Sequence, residues 1–378
     1  MSYFIYFVII VSFIDNFSQL PIISPYAKAL GGSSLIIGLA VGMYSFSNMI
    51  GNVFAGQFID KVGRKKIMLI GMIIAGVSLL AYAQVASASQ LLLVRFIHGL
   101  GGALMVPAAF AYLGDTTKNT NRGKTMALSG AAIGVAAMIG PAFGGVVKER
   151  VGIEYVFYFV SFLMLVTSFL VKIYLPERQI DIRSNNMSIT KLANLLTNSS
   201  LITAFCCAFA LMYAKGILAY ILPLQLEASN FGAATTGILF STFAVVAIVI
   251  FLMPINFADK FGRYKPMFLG LLLIAIALML LSMATRLSLY AVAMIIYGSG
   301  FALLFPAITA LVVDNTEVAE RGRAFGLFYA FFSLGVVLGP LLVGFLNVAP
   351  AQGFVIGSIG VAIIGILLYF RRNIIVEG

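Results

Sequence analysis

The 378-residue chain has no tryptophan, one histidine and two cysteines, and only 10% of its residues are charged. Each shortage excludes something. Cys206 and Cys207 are neighbours, so no disulfide framework is available and both read as small apolar side chains. The single histidine leaves no paired metal ligands, and no Ser/His/Asp set or phosphate-binding loop is visible, so no enzyme and no cofactor are expected. Acids are the scarcer charge: 13 Asp and Glu stand against 24 Lys and Arg, a net charge of +11.

Apolar residues fill the space. They make up 61% of the chain, with 32 Phe and 37 Gly, and the mean hydropathy of +1.06 is far above that of soluble domains. Runs of about 20 residues, enough to cross roughly 30 Å of hydrocarbon, recur at about 3–26, 33–58, 67–86, 90–114, 124–147, 153–175, 199–226, 233–257, 267–285, 288–313, 323–346 and 353–370. They predict an all-α membrane protein with twelve transmembrane helices, whose partner is the lipid bilayer. The first run has no basic leader and is too long for a signal core, so it is expected to be retained. Without tryptophan, an interfacial aromatic belt must fall to tyrosines such as Tyr155, Tyr158 and Tyr369.

The basic excess could suggest nucleic acid, but its distribution argues against that. With the N-terminus placed in the cytoplasm, inward segments hold eighteen of the 24 Lys and Arg, and outward segments hold Lys28, Lys148, Arg150 and Arg286. That is the positive-inside pattern of a multi-pass protein with both termini cytoplasmic.

A charged stretch, GQFIDKVGRKK at 56–66, returns as NFADKFGRYK at 256–265, at a fixed offset of 199 residues from Asp60 to Asp259. The same offset carries Gly99 to Gly298, Gly101 to Gly300, Pro107 to Pro306, Asp115 to Asp314, Gly140 to Gly339 and Pro141 to Pro340. The chain therefore reads as two parallel six-helix repeats, 1–175 and 199–378, joined by a polar cytoplasmic linker at 176–198.

Each repeat places its charged motif at the short inward turn after its second run. Gly56 and Gly63 allow a tight turn, Asp115 and Asp314 are candidate partners for Arg64 and Arg263, and Asp60 and Asp259 could meet a helix N-terminus. The motif is either a solvated turn that sets orientation or a gate that locks the inward side. Gly140, Pro141, Gly144 and Gly145 in the fifth run, with Gly339 and Pro340 in the eleventh, suit either a bent hinge or close helix packing.

These motifs resemble those of the major facilitator superfamily over essentially the whole chain. GQFIDKVGRKK matches that family's signature between the second and third helices, and NFADKFGRYK its weaker echo, with Asn256 in place of a glycine. RFIHGLGG at 95–102 is similar to the family's Arg-x-x-Gln-Gly-x-Gly pattern, with His98 in place of Gln, and GPAFGG at 140–145 resembles the antiporter signature of drug exporters. The resemblance implies a secondary transporter of the twelve-helix drug:proton antiporter branch, working as a monomer in the cytoplasmic membrane of a prokaryote. It also implies a cavity lined by the first, fourth, seventh and tenth helices.

Four ionisable residues lie well inside the runs, away from their ends: Asp15, Arg95, His98 and Lys215. Such residues are costly in hydrocarbon and point to function. Asp15, near the middle of the first run and on a face with Ser12, Ser18 and Gln19, can exchange a proton or pair permanently with a cation. Arg95 could hold it ionised, and His98 could titrate or simply hydrogen-bond. Lys215 either faces a cavity and shapes charge selectivity or snorkels outward. The remaining candidate lining, Met105, Tyr213, Tyr297 and Phe301 with Phe13, Phe17, Tyr26, Tyr112, Tyr220 and Phe305, is large and soft, which suits amphipathic or hydrophobic solutes, cations included. The expectation is a proton-coupled exporter of small amphipathic compounds. The rivals are a transporter of one metabolite, siderophore or lipid, and a non-transporting sensor or scaffold.

Overall fold

The computed structural model describes residues 2–116, 122–177, 195–253, 262–317 and 320–372. Among them are thirteen helices and no strand: α1 (Ser2–Ser18), α2 (Ile23–Ala29), α3 (Ser34–Val62), α4 (Arg64–Tyr82), α5 (Ala88–Thr116), α6 (Arg122–Arg150), α7 (Ile153–Tyr174), α8 (Ser199–Ala228), α9 (Ala233–Phe251), α10 (Tyr264–Ser282), α11 (Leu287–Asp314), α12 (Arg321–Leu346) and α13 (Pro350–Phe370). Eleven are long and apolar enough to cross a membrane, and α1 with α2 makes a twelfth span if that bent pair counts as one.

The first run is thus broken, not continuous. Pro21 has no N–H to give and its ring crowds the carbonyl four residues back, so α1 stops at Ser18 and the chain resumes as α2 at an angle of 44°. Polar side chains at the break bond the exposed backbone: Ser18 Oγ and Gln19 Nε2 donate to the Asp15 carbonyl at 3.1 and 3.0 Å. The charged turn also differs from expectation. Helix runs through it on both sides, leaving only Gly63 between α3 and α4. Its φ of 101° is open to glycine and strained for other residues, and its repeat partner Gly262 has φ 74°.

The chain forms two compact units. Unit 1 is Met1–Ser184 with Leu226–Ser241, and unit 2 is Asn185–Gln225 with Thr242–Gly378. In unit 1, α3 and α4 pack on α5, α4 also packs on α7, and α1 packs on α6. In unit 2, α10 packs on α11 and α13. Glycines bring these backbones together where lipid supplies no hydrophobic drive between helices. A Cβ on Gly71 of α4 would lie 2.7 Å from the Gly101 carbonyl oxygen and 2.6 Å from the Met105 nitrogen of α5. The repeat reproduces this seam in unit 2, where a Cβ on Gly270 would lie 2.8 Å from the Gly300 oxygen and 3.0 Å from the Leu304 nitrogen. Buried hydroxyls add paired bonds: Ser161 Oγ donates to the Gly76 carbonyl at 2.7 Å, and Ser358 Oγ to that of Ala275 at 2.8 Å.

Candidate functional site

The break between α1 and α2 holds the most polar buried cluster of unit 1. Asp15 sits one turn before the end of α1, Gln19 follows four residues on, and α5 presents Arg95 and His98 at the i, i+3 spacing that puts them on one face. The Asp15 and His98 side chains are 0% exposed, and His98 Nε2 lies 2.8 Å from Asp15 Oδ2. Gln19 Nε2 donates to Asp15 Oδ1 at 3.0 Å, while its Oε1 accepts from Arg95 Nη1 at 2.9 Å. Arg95 Nη2 donates to the Val41 carbonyl on α3 at 3.2 Å, and its guanidinium lies 5.7 Å from the centre of the Tyr44 ring. Tyr82 Oη, at the end of α4, is 3.0 Å from His98 Nδ1.

This arrangement links Arg95, Gln19, Asp15, His98 and Tyr82 in one chain of hydrogen bonds. It fits a neutral imidazole that receives the tyrosine hydroxyl at Nδ1 and donates its Nε2 proton to the carboxylate. One further proton turns the imidazole–carboxylate set into imidazolium–carboxylate, or neutral imidazole with carboxylic acid. Either product keeps the Asp15 to His98 bond and raises the charge of the cluster by one. Arg95 reaches Asp15 through Gln19, not by a direct contact. The guanidinium and carboxylate are both oriented by one amide.

Tyr82, Tyr44 and Val41 were not marked by any sequence motif. A signal did exist, in positions where the repeat fails. The 199-residue offset pairs Asp15 with Ala214, Gln19 with Leu218, Tyr82 with Leu281, Arg95 with Met294 and His98 with Tyr297. The polar relay is therefore built once, in unit 1, on a scaffold that is otherwise duplicated.

The charged motif behaves oppositely. Arg64 Nε lies 2.7 Å from Asp115 Oδ2, Arg64 also donates to the Ala111 carbonyl, and Arg263 Nε lies 2.8 Å from Asp314 Oδ2. The surroundings of Gly56, the side chain of Asp60, the whole of Asp259 and most of the linker at 176–198 lie outside what the structure describes.

The glycine–proline stretches lie in tight helix seams. α6 and α12 each run as one helix through Pro141 and Pro340. A Cβ on Gly140 or Gly144 would press on α1 at Phe17 and Ser18, and one on Gly145 would meet the Ala233 carbonyl of α9. Gly339 abuts the Tyr213 carbonyl on α8, and Pro340 lies beside Gly216. Glu149, at the end of α6, accepts the Ala234 N–H of α9 at 2.8 Å, a contact no motif announced.

Of the remaining candidates, Met105 is fully buried in the unit 1 core that includes Ile5, Met68 and Met72. Phe301 stacks on Phe305 at 5.7 Å and meets Phe243 edge-on at 5.3 Å. Tyr297 is fully buried and Lys215 half-buried.

The sequence profile described as Major Facilitator Superfamily matches residues 5–253 and 204–375. The chain is 29% identical to Multidrug resistance protein 2 of Bacillus subtilis over 89% of its own length and 86% of that protein's. It is 27% identical to the Quinolone resistance protein NorA of Staphylococcus aureus, over 96% and 94% respectively, and 27% identical to an uncharacterized MFS-type transporter of Methanocaldococcus jannaschii, over 93% and 92%. Among solved structures, a bacterial homologue of the human lysosomal transporter Spinster superposes with a TM-score of 0.85 at 14% identity, covering 100% of this chain and 97% of that one. The nucleoside transporter NupG superposes with a TM-score of 0.79 at 17% identity, covering 97% and 98%.

Proposed function

The chain belongs to the major facilitator superfamily, a family of membrane transporters and not enzymes, and on that premise we propose that it is a proton-coupled exporter of small amphipathic compounds. The observation that carries this reading is the buried chain from Arg95 through Gln19 and Asp15 to His98. A carboxylate, an imidazole and a guanidinium in hydrocarbon are expensive, and a structural bolt needs only two of them. The third makes a site that gains and loses a proton while remaining hydrogen-bonded. The export direction and the amphipathic substrate class draw support from the relatives named for multidrug and quinolone resistance.

In this reading Asp15 and His98 take up the proton, Arg95 holds the charge balance, and the two Arg–Asp pairs at the charged motifs act as gates. The proton gradient supplies the energy, no cofactor takes part, and the protein acts as a monomer in the cytoplasmic membrane of a prokaryote. The test is purified protein in liposomes with an imposed pH gradient and a neutral naphthalenesulfonamide dye. Accumulation abolished by a protonophore is expected. Accumulation that ignores the protonophore would sink the proton coupling.

A further inference from the structure

Every residue of the relay is buried, the most exposed being Arg95 at 6%. A site that gains and loses a proton needs a route to water, and the row of polar side chains that leads away from the relay lies on α3. Tyr44, Asn48 and Asn52 follow one another at intervals of four, on a single face of that helix. The Tyr44 ring meets that of His98 edge-on at 5.0 Å and carries the Arg95 guanidinium, and its phenol pairs with the side chain of Asn16, the residue after Asp15. Asn48 Nδ2 donates to the carbonyl of Gly99, next to His98, at 3.3 Å, and Asn52 Nδ2 donates to Asn48 Oδ1 at 2.8 Å. Gly102 makes the room: a Cβ there would overlap the Tyr44 hydroxyl and lie 3.1 Å from Asn48 Nδ2. The charged and titratable groups about the buried end of the row are Asp15 on α1, Tyr82 on α4, and Arg95 and His98 on α5.

Exposure rises along the row, from Tyr44 at 9% through half-buried Asn48 to exposed Asn52, three residues before the charged-turn end of the span Ser34–Ala55. That exposure is not to lipid. Successive residues turn by about 100°, so the exposed apolar side chains Leu35, Phe46 and Val53 share one face, while Tyr44, Asn48 and Asn52 occupy the opposite one with the core residues Ala55 and Ile59. Amides are costly in hydrocarbon and face a bundle interior or water. The repeat supplies a separate argument. Its offset sets Phe243, Ala247 and Phe251 at the positions of Tyr44, Asn48 and Asn52, so the polar row, like the relay, is built once. The packing seam beneath it is built twice: a Cβ on Gly99 would overlap the Tyr44 carbonyl, and one on Gly298 would lie 2.7 Å from the Phe243 carbonyl oxygen. Joining the two helices therefore does not require the amides.

We propose that Tyr44, Asn48 and Asn52 line the path by which protons pass between the relay and the water at the charged-turn end of α3. The path rests on the proton-coupled reading above. The amides keep no proton; they orient water, along which a hydronium gives its proton to the Asp15–His98 pair and is left as water, with the reverse on release.

The test is a pH jump on the purified full-length protein, followed by time-resolved infrared spectroscopy of its carboxyl and imidazole bands. Wild type should take up a proton in a signal that Asp15→Asn lacks. Asn48→Leu and Asn52→Leu should take up as many protons at equilibrium but at least about tenfold more slowly, the order of one hydrogen bond lost along the path. Asn52→Ser, which keeps a hydroxyl, should stay near the wild-type rate. Wild-type rates in both leucine variants would overturn the path and leave the relay standing, and reduced uptake at equilibrium would make the row a support of the relay and not a path. A signal that survives Asp15→Asn would remove the relay reading and the path with it. A second measurement does not depend on the leucine variants. In nanodiscs, with Cys206→Ala and Cys207→Ala as background, Asn52→Cys should react with a charged methanethiosulfonate, whereas Val53→Cys, at the same depth, should not. Equal labelling of the two, or labelling of Val53→Cys alone, would place the row against lipid and overturn the path.

Discussion

At the scale of single residues, the account turns on Gln19, whose one amide serves two opposite charges. Gln19→Leu would leave Arg95 and Asp15 each short of a buried partner, at about 1–3 kcal/mol apiece. The thermal midpoint in detergent should fall clearly and gradient-driven transport should be lost. A variant with wild-type melting would mean the amide bridge is dispensable. Tyr82→Phe keeps the ring against Phe157, 5.1 Å away between centroids, and removes only the hydroxyl on His98. It should fold normally and transport roughly tenfold more slowly, the order of one lost buried hydrogen bond; an unchanged rate would remove Tyr82 from the relay. Asp15, Arg95 and His98 were legible in the sequence because a charge in an apolar run stands out. Tyr82 and Tyr44 were not, because tyrosine is unremarkable in a chain with 16 of them, and only the contacts of Tyr82 with His98 and of Tyr44 with Arg95 give them a role.

At the scale of helices, glycine spacing fixes where backbones touch. Gly144 abuts the Ser18 carbonyl, whereas a Cβ on Gly130 of the same helix meets nothing within 4 Å. Gly144→Val should yield little monodisperse protein on size exclusion, and Gly130→Ala should behave as wild type. Equal yields from the two would show that α6 is not held against α1 by this seam. The sequence located most helices well because hydropathy and helix length are tied to bilayer thickness. It missed the break after Ser18, since Pro21 lies within an unbroken apolar run and a kink there depends on which side chains catch the freed carbonyls. It left Gly140–Gly145 open between a bent hinge and close packing, and in the folded helix Gly140, Gly144 and Gly145 lie against neighbouring backbone.

At the scale of the whole molecule, duplication and its failures carry different information. The 199-residue offset reproduces the Arg64–Asp115 pair as Arg263–Asp314, which fits a role both repeats share. Partly exposed pairs contribute only about 0.2–1 kcal/mol, so Arg64→Asp should barely change melting yet slow transport. Reversing both charges, Arg64→Asp with Asp115→Arg, should recover part of the rate; no recovery would argue against a gate formed by this pair. The relay at Asp15, by contrast, exists once, and the proton-coupling claim depends on it. The decisive measurement compares wild type with Asp15→Asn in liposomes, using the neutral sulfonamide probe in two modes, exchange at equal pH and accumulation driven by a pH gradient. The account predicts that Asp15→Asn still exchanges the probe but no longer accumulates it. Accumulation by Asp15→Asn at the wild-type level would contradict the assignment of the proton to this site.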